Sequence, residues 1–161
     1  MTTKMKRMIV IFFVAVLTLG LPQSWQLPLL IAVSMPYEKD KNNIWYVLTA
    51  GVLFILTSYF YPALIYLNVG QAVVMVIGLC VMVFLTNRIG HFSWYMFSLF
   101  YLLMTLVIIG FGAGLTGLIM HTLTPAQFLP FVSLTMKQGM VITIILAVVL
   151  ALWYHYKTKH K

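Results

Sequence analysis

An ionisable side chain inside an apolar segment is the strongest chemical signal in a chain of this kind, because burying a charge in hydrocarbon costs at least a few kcal/mol. Lys137 is the one such residue, seven positions past Pro130. It is read as interfacial, its stem in the apolar layer and its ammonium reaching the headgroups. The alternative is a buried role in binding a partner or substrate. Glu38 and Asp40, the only two acids, flank Lys39 in a polar stretch and read as a solvated turn with local charge pairing. The apolar runs therefore contain no carboxylate. Proton- or sodium-coupled carriers and intramembrane aspartyl or zinc proteases need such groups, so those classes are not expected.

His91 and His121 stand at opposite ends of one long apolar run and cannot share a metal, while His155 and His160 belong to a basic tail. Cys80 is the single cysteine, which rules out an intramolecular disulfide and a cysteine cluster. Asn68 and Gln71 are three apart and share a helix face, with Gly70 between them; amides so placed hydrogen-bond a neighbouring helix, with ligand binding as the alternative. The stretch Gly110-Phe111-Gly112-Ala113-Gly114-Leu115-Thr116-Gly117 holds two small-xxx-small pairs, Gly110 with Gly114 and Ala113 with Gly117. Such pairs let helices approach closely. The stretch is also readable as a flexible break, but not as a phosphate loop, because no Lys-Ser/Thr follows it. The candidate packing or partner residues are thus Gly110, Gly114, Gly117, Asn68, Gln71 and Lys137. No catalytic residue, cofactor or metal site is expected.

The elements that carry these residues are apolar helices. Of the 161 residues 63% are apolar and 7% charged, with mean hydropathy +1.03. Soluble domains average about 45–50% and 25%, and a domain this small cannot hide the excess. Lipid is the expected solvent, around a single all-α membrane domain over residues 1–161. The apolar runs are Met8–Leu21, Leu27–Met35, Ile44–Tyr61, Ala63–Thr86, Phe92–Met120 and Phe131–Tyr156. The second is short, since nine residues of helix rise only about 14 Å against a core of about 30 Å. The fifth overshoots and should tilt, kink or start in the interface. The basic start and first run resemble a signal peptide, but without a small-x-small cleavage site they read as a retained span. Trp153, Tyr154 and Tyr156 sit where an aromatic belt would lie.

The charges orient this bundle. With six segments and the N-terminus in the cytoplasm, nine of the ten Lys and Arg residues fall inside, and the outer connections Pro22–Gln26, Tyr61–Pro62 and His121–Pro130 carry none. The exception is Lys137. The net charge of +8 therefore points to anionic lipid headgroups and not to nucleic acid.

The layout resembles the MreD family, the rod shape-determining membrane proteins of bacteria. The resemblance lies in the basic N-terminus, the proline-led piece Leu27-Pro28-Leu29-Leu30, the span opening Ala50-Gly51-Val52-Leu53-Phe54, a tight hydrophobic hairpin, an uncharged outer loop and a basic tail. Where members commonly carry an aspartate, this chain has Ile55, and no functional residue is carried over. The resemblance implies a non-enzymatic scaffold in the bacterial cytoplasmic membrane, partnered by an MreC-like protein and the elongation machinery. Two other readings stand beside it. One is the substrate-capture S component of an energy-coupling-factor vitamin transporter, with an outward cavity near Trp25, Asn68, Gln71 and His121. The other is a small lipid-linked-sugar or toxin-immunity membrane protein.

Overall fold

The computed structural model describes residues 3–57, 65–90 and 92–159. The expected outer turn at Tyr61–Pro62 lies outside the described residues, as do His91, His160 and Lys161. Every element among them is a helix: α1 Thr3–Leu17, α2 Gln23–Ser34, α3 Asn43–Thr57, α4 Ile65–Ile89, α5 Trp94–Val107, a π-helical turn Ile108–Gly112, α6 Ala113–Ile119 and α7 Pro125–Lys159. The rod from α5 through the π turn to α6 is continuous over Trp94–Ile119, so six helices are described. Three stretches, Val69–Ile89, Trp94–Ile119 and Pro125–Lys159, are long and apolar enough to cross a membrane.

The short second segment is the centre of the bundle. α2 packs against α1, α3, α5 and α7, and its Leu27, Leu30 and Ile31 are fully buried. Its length of 12 residues corresponds to about 18 Å, too short for a helix bathed in lipid but adequate for one walled by longer neighbours. Pro28 sits inside it. The Tyr101 hydroxyl donates to the Pro28 carbonyl at 3.0 Å, which ties this part of α2 to α5.

α7 wears its large side chains outside. Its buried positions include Gly139, Thr143, Ala147 and Ala151, a four-residue period of small groups, whereas Val141, Ile145, Val148 and Leu152 are exposed. Burial of small residues lets backbones approach, and in lipid the bulky ones need no protein cover. The Ser98 hydroxyl accordingly reaches the Ala147 carbonyl at 2.7 Å. This stripe is visible in the sequence as Gly-x-x-x-Thr-x-x-x-Ala-x-x-x-Ala.

Two boundaries and one side-chain placement differ from expectation. α7 starts at Pro125 and not at Phe131, carrying Pro130 within it. Proline suits the first helical position, and the Gln127 side chain accepts the Thr124 backbone N–H at 3.0 Å, half of a capping box. α4 runs on to Ile89, so Asn87 and Arg88 are helical; Gly90, at φ +88°, ends it in a conformation that glycine adopts without strain. Tyr154 is a core residue and not part of an interfacial belt: it is 2% exposed and stacks on Phe97 with ring centroids 4.8 Å apart.

Candidate ligand cleft at the basic end

Helix α2 ends because Met35 precedes Pro36, and a residue before proline is pushed out of the helical region; Met35 has ψ 129°. The last carbonyls of a helix lack internal donors, and Arg7 of α1 supplies them from outside. Its Nη2 donates to the Met35 carbonyl at 2.6 Å, its Nε to the Val33 carbonyl at 3.5 Å and its Nη1 to Asn43 Oδ1 at 3.4 Å. A guanidinium at a helix C-terminus also meets the negative end of the dipole. The same guanidinium lies 4.7 Å from the Tyr37 ring centroid and 4.4 Å from that of Tyr46.

Tyr37 joins this corner to α7. Lys157 Nζ lies 3.8 Å from the Tyr37 ring centroid and 3.3 Å from Glu38 Oε1. Trp153 packs edge-on against Tyr37 at 5.1 Å, and the Tyr154 hydroxyl donates to the Tyr37 carbonyl at 3.3 Å. Glu38 thus pairs with the distant Lys157, a correction to the local pairing with Lys39 that adjacency suggests. Asp40 is held locally. Its Oδ1 accepts the Asn42 backbone N–H at 2.8 Å and the Asn42 side-chain amide at 2.9 Å, and its Oδ2 accepts the Tyr46 hydroxyl at 3.4 Å.

These groups border a cavity of about 470 Å³ between α1, α2, α5 and α7. Lys6, Arg7 and Asp40 form its polar side, Tyr37, Tyr46 and Trp153 its aromatic side. Val10, Val33, Phe97 and Leu150 form an apolar floor. The volume lies in the range of small-molecule sites, roughly 300–1,000 Å³. Cations beside an apolar floor suit an anionic amphiphile, and nothing in the lining activates a nucleophile. The sequence hid this cleft because Arg7 reads as one member of a basic N-terminal cluster, and its partners come from the end of α2, the following loop and α3.

The residues singled out by type and spacing lie elsewhere. A Cβ on Gly114 would meet Phe128 and Val132 of α7 at 2.7 Å, and one on Gly110 would meet Met136 of α7 at 2.6 Å. Gly112 instead approaches Gln71 of α4, with its Cβ position 3.3 Å from Gln71 Cγ. Gly117 faces Leu123 in the following loop. The glycine face is therefore filled by this chain's own α7 and α4. A π turn shifts the helix's hydrogen-bonding register, and Gln71 Nε2 donates to the Ile109 carbonyl there at 3.3 Å. Gln71 Oε1 and Gln26 Nε2 are buried with no partner among the described residues. The Asn68 side chain lies outside the described residues, although its backbone belongs to α4. Lys137 is exposed on α7, far from the cleft. Trp25 and His121 are both exposed, at the end of the bundle opposite the cleft.

The chain was compared with family models, with characterised proteins and with solved structures. None matches.

Proposed function

We propose that the protein is a non-enzymatic scaffold, a multi-pass protein of the bacterial cytoplasmic membrane with both ends in the cytoplasm, serving the cell-elongation machinery in the manner of the MreD family. The observation that carries the non-enzymatic reading is the employment of the two acids. Glu38 braces Lys157, and Asp40 holds Asn42 and Tyr46, so both carboxylates serve the architecture. Among the described residues no three His, Cys, Asp or Glu side chains are grouped to hold a metal.

Orientation follows from how the ends meet. Arg7 of α1 and Lys157 of α7 share one end of the bundle through Tyr37, as an even number of crossings requires, and basic residues favour the cytoplasmic side. Lys137 and Lys157 lie twenty residues apart on one helix, about 30 Å, the thickness of the hydrocarbon core. That spacing supports the reading of Lys137 at the outer boundary and Lys157 at the inner one.

The vitamin-capture reading draws support from one observation, the 470 Å³ cavity. Its position counts against it: a capture subunit takes its ligand from outside, and this cavity opens at the basic end, away from Trp25 and His121. The scaffold is the better reading.

The test is cross-linking in the native membrane followed by affinity purification of the tagged full-length chain. Recovery of an MreC-like single-span protein is the expected result. Recovery instead of a pair of ATPases with a membrane coupling subunit would replace the scaffold by the capture subunit.

A further inference from the structure

We propose that the cleft between α1, α2 and α7 is a binding site for an anionic phospholipid, with the phosphate on Lys6 and Arg7 and an acyl chain on the Val10, Val33 and Leu150 floor. The proposal rests on the membrane-spanning reading, but not on any protein partner. Three features of the cleft carry it.

The first is the hydrogen-bonding capacity of Arg7. A guanidinium has five N–H donors. Three are engaged, one each from Nε, Nη1 and Nη2, which leaves one N–H on each terminal nitrogen for a phosphate oxygen. The protein has fixed this group in place, so little side-chain freedom is lost when an anion arrives.

The second is the balance of charge. Lys6 and Arg7 share the lining with Asp40, but the Asp40 oxygens already accept three hydrogen bonds. Lys6 lines the cleft and is exposed, so the charge offered to a headgroup is cationic. The tyrosine faces that would otherwise attract a choline-type cation already carry Arg7 and Lys157. Trp153 carries Lys157 as well, 5.2 Å from its ring centroid, so a zwitterionic headgroup would bring its cation among aromatic rings that each already hold one.

The third is the floor. A free phosphate or a soluble nucleotide would satisfy the cations and leave an apolar surface wet. An acyl chain fills it, and Val10 is itself an exposed residue of α1, which leaves the floor continuous with the apolar outer surface of the bundle.

The experiment uses the full-length protein purified into nanodiscs containing equal amounts of phosphatidylglycerol and phosphatidylcholine, with bound lipid identified by native mass spectrometry after release. The wild type is expected to retain phosphatidylglycerol in preference. Lys6→Gln should reduce that preference roughly fivefold, the effect of one basic residue near a lipid surface. Leu150→Trp, which fills the floor from α7 and leaves every residue hydrogen-bonded to Arg7 unchanged, should abolish lipid retention. Helical circular dichroism and the melting temperature verify that each variant is folded. Equal retention of the two lipids by the wild type would overturn the proposal without recourse to any variant. Undiminished retention by folded Leu150→Trp would do the same, as would displacement of the lipid by millimolar inorganic phosphate, which would mark a site for a free anion. Failure on any of these counts leaves the scaffold reading to its own co-purification test.

Discussion

Two regions of the bundle are held by different physics. At the basic end, long polar side chains bridge helices: Arg7 donates to carbonyls that α2 leaves open, and Lys157 reaches Glu38. Around the π turn, neighbouring side chains pack directly onto the backbone at Gly110, Gly112 and Gly114, with one amide, Gln71, donating across. The first arrangement depends on charge and on groups exposed to water at their rim. The second depends on the absence of side chains. Apolar surface gives no drive for helices to associate in lipid, so an apolar helical bundle in that solvent has these two means of fixing its geometry, and this chain uses one at the basic end and the other around the π turn.

The contrast is broken most sharply by Arg7→Met. Removing the guanidinium strips donors from the Val33 and Met35 carbonyls and from Asn43, and the unfolding free energy in a sodium dodecyl sulfate titration should fall by about 3 kcal/mol. Gly114→Leu comes next. It drives atoms into Phe128 and Val132 and should lower the same free energy by about 1–3 kcal/mol, with no dependence on salt. Glu38→Gln should cost less than about 1 kcal/mol, because an ion pair whose carboxylate is 39% exposed is screened by water and salt. Its effect should vanish as ionic strength rises, which separates it from the glycine variant. Lys137→Gln should shift stability by no more than about 0.5 kcal/mol, as befits an exposed residue; a loss comparable to that of Arg7→Met would place its ammonium in a buried pair.

What could be read from the sequence, and what could not, follows the same division. Helical class and the placing of long segments were legible because apolar composition and length report them directly. Gly110 and Gly114 were legible as a contact face because close approach demands small residues at a fixed spacing, although their occupant, α7, was not. The four-residue stripe Gly139, Thr143, Ala147 and Ala151 obeys the same rule. It escaped notice because the bulky residues between its members dominate the hydropathy. The start of α7 was misplaced because Pro130 reads as a breaker, while the stronger signal was Thr124-Pro125-Ala126-Gln127.

The cleft was the least legible part. Glu38 and Lys157 are brought together by the fold from far apart in the chain, and adjacency favoured Lys39 instead. Arg7 was indistinguishable from Lys4 and Lys6 as a positive charge before a span. Only the fold shows that it is turned inward onto α2. The role of α2 itself was obscured for a related reason: an apolar residue walled by protein and one facing lipid have the same composition, so hydropathy cannot tell a central post from a weak span.

That enclosed position of α2 has a consequence for how the chain is assembled. During synthesis α2 is made long before α7, yet α7 supplies one of its walls, with Gly139 admitting the Ser24 carbonyl at 3.3 Å from its Cβ position. Until then α2 has only α1, α3 and α5 to pack against. The order of manufacture and the order of enclosure are therefore different, and a ribosome stalled before Pro125 would leave the middle of the molecule open on one side.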